Sequence, residues 1–65
     1  MKLQLNGTDI ETGAQTLEAL LDEQDFGGAA VATAVNGQFV PASLRAGHTL
    51  KDGDLIEVLA PMQGG

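Results

Sequence analysis

The sequence contains no cysteine, no tryptophan and no tyrosine. Without cysteine there can be no disulfide, no thiolate metal site and no iron–sulfur ligation, and the chain has no thiol nucleophile or persulfide of its own. Histidine occurs once, at His48, so one chain cannot assemble a multi-histidine metal centre. Positive charge is scarce as well: 3 lysines and arginines stand against 9 acidic residues, for a formal net charge of -6. A surface of that sign repels phosphate backbones and anionic lipid, which argues against nucleic acid and membranes as partners. It suits a basic protein partner, because complementary fields speed encounter. No apolar run approaches the roughly 20 residues that span a bilayer. The opening Met1-Lys2-Leu3-Gln4-Leu5-Asn6 lacks the apolar stretch of a secretory signal, so a cytoplasmic location is expected.

What is present is enough for one small domain. A chain of 65 residues buries only about 60% of the surface its unfolded form exposes, so the core must be small. A hydrophobic content of 43% is ordinary for a folded protein and argues against disorder despite the charge.

Local patterns predict the elements. Lys2 to Asn6 alternates polar and apolar residues and places Leu3 and Leu5 on one face, as a half-buried strand does. Asn6-Gly7 then supplies the two positive-φ residues of a tight hairpin, and Thr8 to Thr12 returns with Ile10 inward. Thr16 is a natural helix N-cap. Leu17, Leu20 and Leu21 form an apolar stripe at i, i+3 and i+4, with Glu18 near the positive end of the helix dipole. The helix is expected to end at or just before Phe26, with Gly27-Gly28 supplying the left-handed cap. Ala29 to Val35 is apolar almost throughout and reads as a strand shielded on both faces, or nearly so, rather than an edge strand. Asn36-Gly37 repeats the hairpin signal ahead of Gln38-Phe39-Val40. Residues 42–54 read as irregular, anchored by Leu44 and Leu50, and Asp52-Gly53-Asp54 turns the chain into a last strand from Leu55 to Ala60. Pro61 ends the sheet, since proline cannot donate to a ladder. The order is strand, strand, helix, then three strands. It predicts a two-layer α+β fold in which one helix packs across one sheet face, with a right-handed crossover through the helix if the first and last strands run parallel at the centre. With one face covered, Ile56 and Val58 are the favoured inward pair of the last strand, which leaves Leu55 and Leu59 on the outer face.

Side-chain chemistry is thin. Ser43 and His48 are close in sequence but lack a third group and a glycine elbow; His48, between Gly47 and Thr49, reads as a solvent-exposed loop residue. Asp52 and Asp54 flank a glycine, where aspartate serves local backbone hydrogen bonds, and no calcium-loop pattern surrounds them. Gly27-Gly28 lacks phosphate-loop spacing. No catalytic side chain, bound cofactor or metal ligand is expected.

The remaining candidate is the end of the chain. Residues 1–61 read as the domain and residues 62–65, Met62-Gln63-Gly64-Gly65, as a flexible tail. Glycine has no Cβ and two in a row contribute nothing to a core. Four extended residues reach roughly 13–14 Å, enough to thread into a partner's narrow site and present an unhindered carboxylate. Such a group becomes an electrophile once ATP adenylates it, and the machinery for that must lie on a partner.

At this point the residues carry a resemblance. Leu5-Asn6-Gly7, Val35-Asn36-Gly37, Asp52-Gly53-Asp54-Leu55-Ile56-Glu57-Val58 and the closing Pro61-Met62-Gln63-Gly64-Gly65 resemble the ubiquitin-like β-grasp sulfur carriers, and among them the thiamine-biosynthesis carriers of the ThiS family. The Asn-Gly turns are unspecific alone. The Gly-Asp-x-Ile-Glu run joined to a terminal Pro-Met-Gln-Gly-Gly is specific. The resemblance implies a β-grasp of ββαβββ order, with a mixed sheet of about four to five strands and one helix. It implies a carrier rather than an enzyme. An activating enzyme, which holds the ATP and Mg²⁺, would adenylate Gly65 beside Gly64. A cysteine-derived persulfide donor would turn it into a thiocarboxylate, and a thiazole synthase would take the sulfur for the thiazole ring of thiamine. On this reading Leu55, Leu59, Met62 and Gln63 are the expected partner contacts. The small subunit of molybdopterin synthase, other thiocarboxylate carriers and a non-catalytic ubiquitin-like interaction module share the fold and remain alternatives.

Overall fold

The computed structural model describes residues 1–26 and 30–60. Five strands and one α-helix follow in order: β1 (Lys2–Leu5), β2 (Thr8–Glu11), α1 (Leu17–Glu23), β3 (Ala32–Val35), β4 (Gln38–Val40), a short 3₁₀ turn (Ala42–Leu44) and β5 (Leu55–Leu59). The strands form one sheet in the order β2-β1-β5-β3-β4. β1 and β5 run parallel at its centre, and the other neighbouring pairs are antiparallel. This is the ubiquitin-like β-grasp arrangement that the resemblance implied, and the two layers that the residue pattern predicted.

Both hairpins close as their sequences require. Asn6 and Gly7 have φ of 50° and 83°, and Asn36 and Gly37 have 52° and 83°. Two successive positive-φ residues twist the chain in the sense of the flanking strands. The turns set the registers, pairing Leu5 with Thr8 and Val35 with Gln38.

The helix lays its leucine stripe on one sheet face. Leu17, Leu20 and Leu21 are buried there with Leu3, Val35, Val40, Leu50, Ile56 and Val58. All four of its first backbone donors find acceptors, which a buried helix start needs. Leu17 N–H donates to His48 O, Glu18 N–H to Arg45 O and Leu20 N–H to Thr16 O, and Ala19 N–H donates to the Thr16 hydroxyl at 3.2 Å. The segment after the 3₁₀ turn is therefore pinned to the helix N-terminus.

Four expectations need correction. The helix ends at Glu23, because the next two stripe positions are Gln24 and Asp25 and no apolar side chain holds a further turn on the sheet. Its left-handed cap is Asp25, with φ of 66°. Phe26 N–H donates to Leu21 O at 2.7 Å and Asp25 N–H to Asp22 O at 3.2 Å, the bond pair of a Schellman motif; Gly27 and Gly28 lie outside the described residues. β3 is interior but covered on one face only: Thr33 and Val35 are buried, whereas Ala32 is exposed and Ala34 half-buried, because the helix is the second layer and no element among the described residues lies opposite. Leu44 is not an anchor, being 59% exposed. Arg45 ties that segment down instead, its Nε donating to Thr33 Oγ1 at 3.0 Å and its terminal nitrogen to Val31 O at 2.6 Å. His48 is half-buried rather than open to solvent, since its carbonyl takes the first helical N–H.

Candidate functional site

Side chains alternate across β5. Ile56 and Val58 enter the core, and Leu55, Glu57 and Leu59 stand on the face away from the helix. Two large aliphatics thus sit on the outer face of the central strand, Leu55 at 49% and Leu59 at 66% exposure.

The neighbouring strands extend this surface through their registers. Ala34 pairs with Glu57 on one side and with Phe39 on the other, and Ala32 pairs with Leu59. Phe39 therefore shares the outer face, 69% exposed. The two alanines are too small to fill the space between Phe39 and Leu59, so a shallow apolar groove runs between the larger side chains with Glu57 at its side. On the β1 flank a second depression borders Leu55, with Gln4 and Asn6 on its rim. An exposed apolar surface with the Glu57 carboxylate in it is suited to a partner with matching apolar and basic groups.

Leu55 and Leu59 therefore occupy the outer-face positions expected of them. Met62, Gln63, Gly64 and Gly65 lie outside the described residues, and β5 is the strand that leads toward them. The sequence reading passed over Phe39 and the alanine floor. A signal for them existed: the Asn36-Gly37 turn sets the hairpin register, which puts Phe39 opposite Ala34 and hence on the face that Val35 does not use.

The remaining chemistry-bearing residues serve local structure. Asp54, buried, accepts from Asn36 Nδ2 at 2.9 Å and from the Lys51 amide at 2.8 Å. Asp52 accepts from the Lys2 amide at 2.7 Å. The Lys51 bond is local to the turn, as its Asp-Gly-Asp sequence suggested, whereas the other two tie that turn to Asn36 and to the start of β1. Among the described residues no group of three or more histidine, aspartate or glutamate side chains is placed to hold a metal ion. No helix among them is long and apolar enough to cross a membrane.

Comparison with known proteins agrees with this geometry. The crystal structure of the thiamine biosynthesis protein ThiS from Geobacter metallireducens superposes with a TM-score of 0.84 at 32% identity, over 100% of both chains. A solution structure titled as a thiamine biosynthesis protein from the same organism gives 0.80 at 30% identity, over 100% of this chain and 88% of the other. No curated protein matches the chain significantly. The profile of the ThiS family matches residues 3–65, which is nearly the whole sequence and includes the Gly64-Gly65 end. The chain belongs to the ThiS family.

Proposed function

We propose that this protein is the sulfur carrier of thiamine biosynthesis and that its working group is the carboxylate of Gly65. The observation that carries the reading is the pairing of an exposed Leu55/Leu59 face on β5 with a Gly-Gly end on that same strand's extension, in a chain matched to the ThiS family through residue 65. The folded domain supplies the docking surface, and the tail supplies the reacting atom.

The chemistry belongs to the partners. A carboxylate oxygen of Gly65 attacks the α-phosphorus of ATP on an activating enzyme, and pyrophosphate leaves. The terminal sulfur of a cysteine-derived persulfide attacks the acyl carbon, and AMP leaves. A second thiol then cleaves the acyl disulfide, releasing the thiocarboxylate and oxidising the donor cysteine to a disulfide. Thiazole synthase receives the sulfur. ATP and Mg²⁺ are held by the activating enzyme, and this chain acts as carrier and co-substrate.

Mass spectrometry of the protein isolated from its own cells tests the central point. A fraction should be heavier by the difference between one sulfur and one oxygen atom, with the change confined to the C-terminal peptide. A deletion strain should regain growth when given thiamine or its thiazole. Growth restored only by a molybdenum-cofactor product or by a thiolated-tRNA pathway would move the carrier to another route. A mass with no sulfur substitution would leave only an interaction module.

The docking surface has its own test. Leu59→Ala should weaken binding to the activating enzyme about tenfold or more, the scale of a central apolar anchor. Its effect on stability should stay within about 0.5 kcal/mol, because the side chain is mostly in water. Unchanged affinity by calorimetry would mark Leu59 as an incidental exposed leucine.

A further inference from the structure

The two Asn-Gly turns do more than reverse the chain. Parallel pairing of β1 with β5 begins regularly, with Gln4 N–H donating to Asp54 O at 3.0 Å and Asn6 N–H to Ile56 O at 2.8 Å. The next rung should join the Asn6 carbonyl to Val58 N–H, since alternate residues of a strand present their peptide groups to the same neighbour. It cannot form, because Asn6 has turned into the left-handed region to open the hairpin. The Asn6 side chain takes its place. Oδ1 accepts from Val58 N–H at 2.8 Å and Nδ2 donates to Val58 O at 3.1 Å. One carboxamide thus substitutes for a backbone carbonyl and a backbone amide on the same residue of β5.

Of the residue types that tolerate a positive φ, only asparagine can do this. Glycine has no side chain, and aspartate at neutral pH has no donor and would set a carboxylate oxygen against the Val58 carbonyl. Asn36 grips the start of the same strand from the opposite edge, its Oδ1 accepting from Leu55 N–H at 3.0 Å. The Asn6 clamp is the more consequential of the two for the tail, because Val58 lies one residue before the end of β5. On its β1 side nothing else in the ladder holds that residue.

We infer that Asn6 is a positioning residue for the C-terminal carboxylate: by clamping both peptide groups of Val58 it fixes the direction in which β5 delivers the chain to the partner's site. The inference rests on the carrier reading. Asn6 is an exposed residue whose two bonds to Val58 are partly buried, so water can replace them in part. What water cannot replace is the fixed geometry of the strand end. Reaction rates that depend on positioning are sensitive to shifts of about 1 Å, which can cost about a hundredfold.

The test uses the full-length protein and its activating enzyme, with ATP–pyrophosphate exchange as the readout. Asn6→Gly keeps the turn conformation and removes the clamp. It should lower kcat about tenfold while KM stays within about twofold, because the outer sheet face still docks and only the reacting end is less well placed. Hydrogen exchange at the Val58 amide should accelerate about tenfold with Ile56 unaffected, which reports loss of the clamp independently of function. Asn6→Asp, which keeps the turn and one acceptor, should also lower kcat. Thr16→Ala is the control: it removes the helix N-cap on the other layer and should leave kcat unchanged. Wild-type kcat in both Asn6 variants overturns the positioning role, and so does an equal fall in Thr16→Ala, which would mark a general loss of stability. If the wild-type protein itself supports no exchange, the carrier reading falls and the positioning role falls with it.

Discussion

Deleting Gly65 should abolish adenylation and leave the fold intact. The core is closed by Leu17, Leu20, Ile56 and their neighbours, and β5 ends at Leu59, six positions before residue 65. Removing one glycine from beyond the sheet should change stability by no more than about 0.5 kcal/mol, as at other sites remote from packed features. The reacting carboxylate, in contrast, moves back by one residue, about 3.3–3.6 Å of extended chain. That is several times the displacement of about 1 Å that already costs about two orders of magnitude in a positioned reaction. A melting curve and a pyrophosphate-exchange rate on the same sample make the comparison direct. Gly64→Ala should fall between, since a Cβ is added in the threaded segment while the reach is kept. A truncated protein adenylated at the wild-type rate would show that Gly65 is not the working residue.

Leu20→Ala should have the opposite profile, a large loss of stability from a residue remote from the chemistry. Leu20 is fully buried, as is Leu17, and truncation of such a leucine costs about 2–5 kcal/mol through lost transfer energy and the cavity left behind. At about 0.05–0.15 kcal/mol per residue, the whole domain has only about 3–10 kcal/mol to lose. In a domain of this size each kcal/mol moves Tm by about 4–8 °C, so the melting point should fall by about 10 °C or more. Denaturant titration would detect it at 25 °C. A change below about 0.5 kcal/mol at Leu17, Leu20 and Leu21 alike would contradict the packing of α1 on the sheet.

The two predictions separate the molecule into a part that folds and a part that reacts. The outer face of β5 joins them. Leu55 and Leu59 are close in sequence to Ile56 and Val58 and equal to them in hydrophobicity, yet they contribute little to the core. Their exposure is understandable if a partner covers them, and Leu59→Ala is the variant that should affect binding without affecting melting.

Much of this could be read from residues near one another in sequence. The Asn-Gly pairs announced both hairpins because few other dipeptides adopt two positive φ values cheaply. Thr16 and the Leu17/Leu20/Leu21 stripe announced the helix because capping and a 3.6-residue period are local properties. Strand alternation in Leu55–Leu59 was enough to divide that strand into two sets and to favour Ile56 and Val58 inward, and the folded sheet decided which set is buried. The Gly64-Gly65 end by itself offered only an activatable carboxylate, and carrier chemistry followed from the resemblance that this end shares with the Gly-Asp-x-Ile-Glu run before it.

Tertiary structure decided what depended on partners distant in the chain. Leu44 looked like an anchor by hydrophobicity, but Arg45 holds the segment because Thr33 and Val31 O are within reach of its guanidinium. The helix stopped early, with Asp25 as its left-handed residue, because Gln24 and Asp25 at the next stripe positions give it no apolar side chain to pack on the sheet. Phe39 and the two alanines became a groove only when β3 was placed beside β5. Asn6 and Val58 are 52 positions apart, so no local rule could show that a turn residue also completes the parallel ladder. Sequence by itself determined the elements and their turns, because these follow from backbone preference and periodicity. Only the folded sheet determined which side chains share the outer face and what holds the end of β5, because those depend on which edges meet.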